Sequence, residues 1–244
     1  MRILFVASEC TPLAKVGGLG DVVGSLPKAL IKAGCDVRIA IPKYRDINLK
    51  KYSFKLVAKK VKVRHGLIDI YQGFLPQTKV IVYLLANKEY FKEKGIYFER
   101  NAFVDSSKEI QRFLFFSQAV LEIFPAIGWF PQIIHCHDWH TALTILPLLI
   151  KVRDRNHSFI EGIKTLFTIH NLANQGEWKA REVLDFLGFK GDEVNSLKIR
   201  DKEGRLNILE QGILNADLLN TVSLTYMKEI LTKEYGEGLA NTLL

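Results

Sequence analysis

The sequence predicts an α/β domain: an open, mostly parallel sheet with helices on both faces and a β-rich insertion. Short apolar runs alternate with longer amphipathic ones along most of the chain. The first forty or so residues read strand, glycine-rich turn, helix, strand, which is one βαβ unit with a right-handed crossover. The residues able to do chemistry also sit together in the pattern. Ser8-Glu9, His135–His140, His170-Asn171 and Thr221–Ser223 all fall where predicted strands end, the edge at which such sheets gather ligands.

Taken in order, Arg2–Ala7 (RILFVA) is short, continuous and apolar, as a doubly buried strand is. The stretch Lys15-Val16-Gly17-Gly18-Leu19-Gly20-Asp21 follows. A helix then carries Val22, Val23, Leu26, Ala29, Leu30 and Ala33 at helical spacing and stops at Gly34. Pro27 inside that pattern predicts a kink or a later start. Asp36–Ile41 is the second strand. From Lys51 to Ala86 the pattern is β: Phe54, Leu56 and Ala58 alternate with polar residues, as do Val61 and Val63. Leu67–Leu75 and Lys79–Leu85 continue it around Pro76-Gln77-Thr78. This reads as an insertion before a return to the main sheet. Asn87–Ala102 is a loop with one helical turn, and Asp105–Phe124 a strongly amphipathic helix. Gln132–His137 is a strand, Thr141–Arg153 a helix and Lys164–His170 a strand. Val183–Leu187 and Leu206–Leu214 read as helical, Ala216–Val222 as a last strand and Tyr226–Tyr235 as the start of a helix.

The 244 residues, 48% hydrophobic and 25% charged, suit an ordinary globular protein with a sizeable core. A net charge of +8 permits an acidic or phosphorylated ligand. Much of the excess lies between Lys43 and Arg64, without an aromatic ladder, and reads as a solvated surface rather than a nucleic-acid interface. Cys10, Cys35 and Cys136 are too few and too odd in number for a disulfide framework, and fit a reducing cytoplasm. The N-terminus opens directly into a strand, with no signal-peptide layout, and the apolar runs are too short or interrupted to cross a bilayer. A cytoplasmic protein is expected.

The glycine stretch suggests an anion site. Glycines let a ligand approach the backbone, and a helix N-terminus offers unpaired N–H groups. A lysine adds about 4 kcal/mol of attraction to a phosphate charge at about 4 Å and an effective dielectric of about 20. A turn that merely packs a helix on a sheet explains the same residues. The spacing Gly18-x-Gly20-x-x-x-Gly24, after an intervening loop, is not a dinucleotide fingerprint, and the second strand lacks the terminal acid. A Walker loop would place its lysine after the glycines. His135-x-His137 with His140 could ligate a metal, but no further ligand cluster accompanies it, and His135 reads as a core histidine. His170 reads as a site residue or as the cap of the next turn. Asp21 is equally explained as a helix-start acid.

In order along the chain, several segments together resemble bacterial glycogen and plant starch synthases. They are Ser8-Glu9 with Lys15–Val22, Pro42-Lys43-Tyr44, Gly95-Ile96-Tyr97, His135–Ala142, Thr168–Gly176, Asn207–Ala216 and Asn220–Ser223. The resemblance implies the Rossmann-like N-terminal domain of a GT-B glycosyltransferase. Residues 1–244 would form its acceptor side, and a C-terminal nucleotide-binding domain would lie outside this chain. The implied reaction moves glucose from ADP-glucose (UDP-glucose in some relatives) to the 4-hydroxyl of an α-1,4-glucan such as glycogen, with retention and without metal or cofactor. By matching position, His170 would be catalytic, and Lys15, Gly17 and Gly18 would bind the donor phosphates. Glu9, Asp21, Tyr97, Asp138, His140 and Asn171 would line the acceptor and sugar side. Leu224 stands where the family usually has proline, and Asn174 replaces an aromatic. A chain lacking the second domain is expected to bind weakly and not to turn over. The alternatives are a non-catalytic glucan-binding or regulatory module and one part of a split synthase.

Overall fold

The apolar run at the N-terminus becomes the middle of the sheet. In the computed structural model, which describes residues 1–93, 95–97, 106–155, 159–189, 199–200 and 204–244, β1 (Arg2–Val6) lies between two parallel neighbours and buries all but Arg2. Those neighbours are β2 (Asp36–Pro42) and β6 (Ile133–His137). Beyond β6 come β7 (Lys164–Ile169) and β11 (Leu218–Thr221), both parallel. On the other side β5 (Ile81–Ala86) pairs parallel with β2. The hairpin β3 (Lys55–Val63) and β4 (Gly66–Phe74) then adds two antiparallel strands. The full order is β11-β7-β6-β1-β2-β5-β4-β3.

The predicted insertion is therefore an extension of the main sheet. Alternation predicts one solvated face for β3 and β4, but it does not say which strand they pair with; β4 alternates in burial, whereas β3 is exposed along most of its length. A second sheet, β8-β10-β9, has no counterpart in the sequence reading. Its strands β8 (Glu177–Lys179), β9 (Ile199–Arg200) and β10 (Arg205–Asn207) are too short to show a period.

Side-chain alternation along β1 divides the core. Leu4 and Val6 face α2 (Ser106–Ile127), α3 (Trp139–Arg155) and α5 (Ile208–Asn215), whereas Ile3 and Phe5 face α1 (Gly18–Lys32). Helix α1 begins at Gly18, ahead of Pro27, which it contains, and Gly34 ends it at φ +85°. Helix α2 has a 21-residue stretch, Ser107–Ile127, long and apolar enough to cross a membrane, but 72% of its apolar 18-residue window is buried in the core. Asp105 and residues 98–102 of the predicted loop lie outside the described residues. Before them, Asn87 Oδ1 accepts from the N–H groups of Glu89 and Tyr90, which makes one tight turn.

The helix predicted from Leu206 starts later, because Leu206 pairs in β10 and Asn207 caps α5 by accepting from Glu210 N at 2.9 Å. α4 (Ala180–Leu187) ends at Gly188, which is left-handed. α6 (Leu224–Ile230) is shorter than predicted and begins two residues earlier, behind the Ser223 cap. A last turn, α7, spans Ala240–Leu243.

Candidate active site

The strand order reverses at β1: the chain leaves it toward β2 and later returns to its other side through β6. The two crossovers part there, and a crevice opens beyond the strands' carboxyl ends. A cleft of about 1280 Å³ lies at this place, lined among others by Glu9, Gly17, Gly18, Asp138, His170 and Asn171.

Glu9 follows β1 and is 3% exposed. Its Oε2 accepts from the N–H groups of Val16 at 2.7 Å and Gly17 at 2.8 Å, and its Oε1 accepts from the Tyr97 hydroxyl at 2.7 Å. The glycine loop is thus wrapped around an internal carboxylate. A Cβ on Gly20 would stand 3.0 Å from Glu9 Oε2, and one on Gly24 would stand 2.7 Å from the Thr11 carbonyl oxygen. Those two glycines allow close approach, whereas a Cβ on Gly18 would meet open space. Gly17, the N-cap of α1, provides no side-chain cap, so the first-turn N–H groups that follow have no acceptor within the helix. Burial and the neighbouring Glu9 charge push the Tyr97 phenol well up.

Lys15 and Asp21 face each other instead of the cleft. Lys15 Nζ is 2.7 Å from both Asp21 carboxylate oxygens, on side chains about half exposed. This pairing holds the Asp21 carboxyl below its ordinary range. Asp21 is not a helix cap, since it stands in the first turn and Gly17 is the N-cap. Neither residue is among those lining the cleft.

Where β6 ends, Asp138 adopts φ +55°, a strained left-handed conformation for a non-glycine residue. It turns the carboxylate across to the end of β7. Its Oδ1 accepts from His170 N at 2.7 Å and Asn171 N at 3.4 Å, while its own N–H donates to the Thr168 carbonyl at 3.0 Å. Burial pushes this carboxyl up to about 7, against the pull of those two N–H donors and with a further push from Glu9.

His135 and His137 project to one face of β6, as H-x-H on a strand requires. His135 Nε2 lies 2.6 Å from Thr168 Oγ1, whose hydroxyl donates to Asn220 Oδ1. His137 Nδ1 lies 3.0 Å from His170 Nε2. His140 is enclosed by the rings of Tyr97, Phe113 and Trp139, with centroids 4.8, 4.6 and 4.1 Å away. Burial pushes His135 and His140 down to about 3, His170 to about 4 and His137 further below its ordinary value. All four rings are therefore neutral at pH 7. Among the described residues no group of three or more His, Cys, Asp or Glu is placed to hold a metal ion.

The structure thus brings Glu9, Gly17, Gly18, Tyr97, Asp138, His140, His170 and Asn171 to one cleft and leaves Lys15 and Asp21 paired beside it. Sequence reasoning missed the supports. Arg112 is fully buried, and its Nε and Nη1 donate to the carbonyls of Tyr90 and Ile96, which anchors the Tyr97 loop. An arginine on the apolar face of a helix, between Ile110 and Phe113, was the available signal. Gly176 has φ +64°, and a Cβ there would lie 2.4 Å from the Trp139 ring. Trp178 and Arg205, from the small sheet, close one wall.

The starch synthase catalytic domain family matches residues 2–244. Glycogen synthase from Geotalea daltonii is 41% identical over 246 residues, covering all of this chain and 49% of that protein. The glycogen synthase of Desulforamulus reducens is 40% identical with the same coverage. Among solved structures, the catalytic domain of starch synthase IV from Arabidopsis thaliana, bound to ADP and acarbose, superposes with a TM-score of 0.82 at 31% identity, over 99% of this chain and 49% of that one. The chain spans about half the length of the curated relatives it matches.

Proposed function

The chain belongs to the starch synthase catalytic domain family, and we propose that it is the acceptor-side part of a retaining, cytoplasmic glucosyltransferase that elongates α-1,4-glucan from ADP-glucose. The observation that carries this reading is the cleft at the strand-order reversal, which places His170 and the start of α1 on one cavity. The partial positive charge at Gly17-Gly18 suits the leaving pyrophosphate. The His170 backbone carbonyl suits the positive charge that develops on the sugar, and a preorganised dipole of this kind stabilises a transition state more than a ground state. Glu9, Tyr97, Asp138, His140 and Asn171 bound the sugar side. Lys15 reaches a phosphate only after leaving Asp21, which then stays at the edge of the sugar side. The reading uses neither metal nor cofactor, and assigns the other face of the donor to a second, nucleotide-binding domain in cis or in trans. Support comes from the Arabidopsis relative, which was solved with ADP and acarbose.

Calorimetry on the purified chain with ADP-glucose and with maltoheptaose tests this. The expected result is weak binding of both, no glucose incorporated into glycogen, and loss of donor binding in Gly18→Val, whose added atoms enter open space. Donor binding unchanged in Gly18→Val would overturn the site. Turnover by the chain alone would overturn the need for a second domain, and glucan binding without donor binding would favour a glucan-binding module.

A further inference from the structure

His170 has a partner that the reading above leaves unused. His137 is completely buried on β6, one strand over, with its Nδ1 3.0 Å from His170 Nε2. Two neutral imidazoles at this distance share one proton, and only one arrangement suits the surroundings. His137 Nε2 is buried and has no hydrogen-bond partner among the described residues. A neutral ring carries its proton on one nitrogen and a lone pair on the other. If His170 Nε2–H donated to His137 Nδ1, the His137 proton would sit on Nε2, a buried donor with nothing to receive it. Orphaned N–H groups of that kind are rarer than orphaned acceptors. In the opposite arrangement His137 leaves only a bare lone pair unmatched, beside the Phe5 ring that stacks on it at 5.4 Å.

We propose that His137 is a positioning residue: its Nδ1–H donates to His170 Nε2 and fixes His170 in the tautomer that carries its proton on Nδ1. Nε2 is then occupied, and the nitrogen that His170 keeps for a ligand is an N–H donor. Such a donor suits an oxygen acceptor, a sugar hydroxyl for example, and cannot take a proton at that atom. The assignment of His170 to the reacting sugar rests on the function proposed above, whereas the tautomer does not. Burial keeps both rings uncharged at neutral pH, with Glu9, Asp138 and His135 as the titratable neighbours.

Long-range proton–nitrogen NMR of the 15N-histidine-labelled protein at pH 7, without ligand, reads the tautomer, and His170→Ala identifies the His170 signals. The expected spectrum has His170 protonated on Nδ1 and His137 also on Nδ1. In His137→Phe, which keeps a ring but no donor, the His170 signals should shift toward the Nε2–H form that dominates free imidazole side chains. A wild-type His170 protonated on Nε2 would overturn the proposal outright, as would a His137→Phe spectrum still purely Nδ1–H. Neither outcome involves substrate, so the proposed reaction would stand or fall separately.

Discussion

A histidine that is buried uncharged makes a protein weaker in acid. His135, His137, His140 and His170 have folded values pushed below their ordinary 6.5. Their contributions are therefore present above about pH 6.5 and lost as pH falls toward their folded values. At pH 5, a group held near 3 costs about 2 kcal/mol relative to pH 7. Asp138 acts in the opposite sense. Its folded value near 7 favours the folded state below the ordinary carboxylate range, and that contribution fades as pH rises through about 7. One such group offsets one histidine and not four, so urea denaturation should show a lower midpoint at pH 5 than at pH 7. His140→Phe, which keeps an uncharged ring among Tyr97, Phe113 and Trp139, should reduce the difference by about 2 kcal/mol. Superimposable pH profiles for variant and parent would refute this. Glu9→Gln leaves one acceptor oxygen where three donors converge and should cost about 1–3 kcal/mol at pH 7 by the same measurement. The sequence placed Glu9 correctly beyond the first strand. It could not show that the carboxylate folds inward to hold its own loop, because that depends on Tyr97, 88 residues away.

The elements legible in the sequence were those whose period is long enough to repeat. β1, α1, β2, β6 and β7 fell within a residue or two of expectation, apart from the early start of α1, and the glycine stretch marked the first turn of α1. What periodicity could not supply was pairing. β3 and β4 looked like an insertion because an alternating strand is the same whether its partner is local or distant, and the short strands of the second sheet carried no period. Caps corrected the helix starts. Asn207→Ala should therefore lower stability by about 1 kcal/mol, measured by chemical denaturation. Leu224 occupies the first position of α6, where a missing N–H costs nothing. Replacing it with proline should leave the melting temperature unchanged. Gly24→Ala forces a Cβ against the Thr11 carbonyl and should destabilise by about 1–3 kcal/mol, with a melting temperature no lower than wild type counting against that packing.

At the scale of the whole molecule, the two edges of the large sheet differ. The β3 edge exposes Lys55, Lys59, Lys60 and Lys62 around the half-exposed Leu56 and Val57, a charge pattern that discourages edge pairing. At the β11 edge, Leu218 is 67% exposed and Leu224 at the start of α6 is 76% exposed. Leu218→Lys should leave the melting temperature unchanged, because the side chain it replaces stands mostly in solvent. The cleft has a different dependence on the whole. Its walls come from loops after β1, β6 and β7, from the Tyr97 segment and from the small sheet, with hydrogen bonds between residues as far apart as Glu9 and Tyr97. No contiguous stretch of chain contains a usable fraction of it. Occupancy and global folding are consequently linked by mass action: a ligand at a hundred times its dissociation constant adds about 2.7 kcal/mol of stability. Thermal stability thus becomes a direct gauge of how full the cleft is, and a partly folded chain has nothing there for a ligand to select.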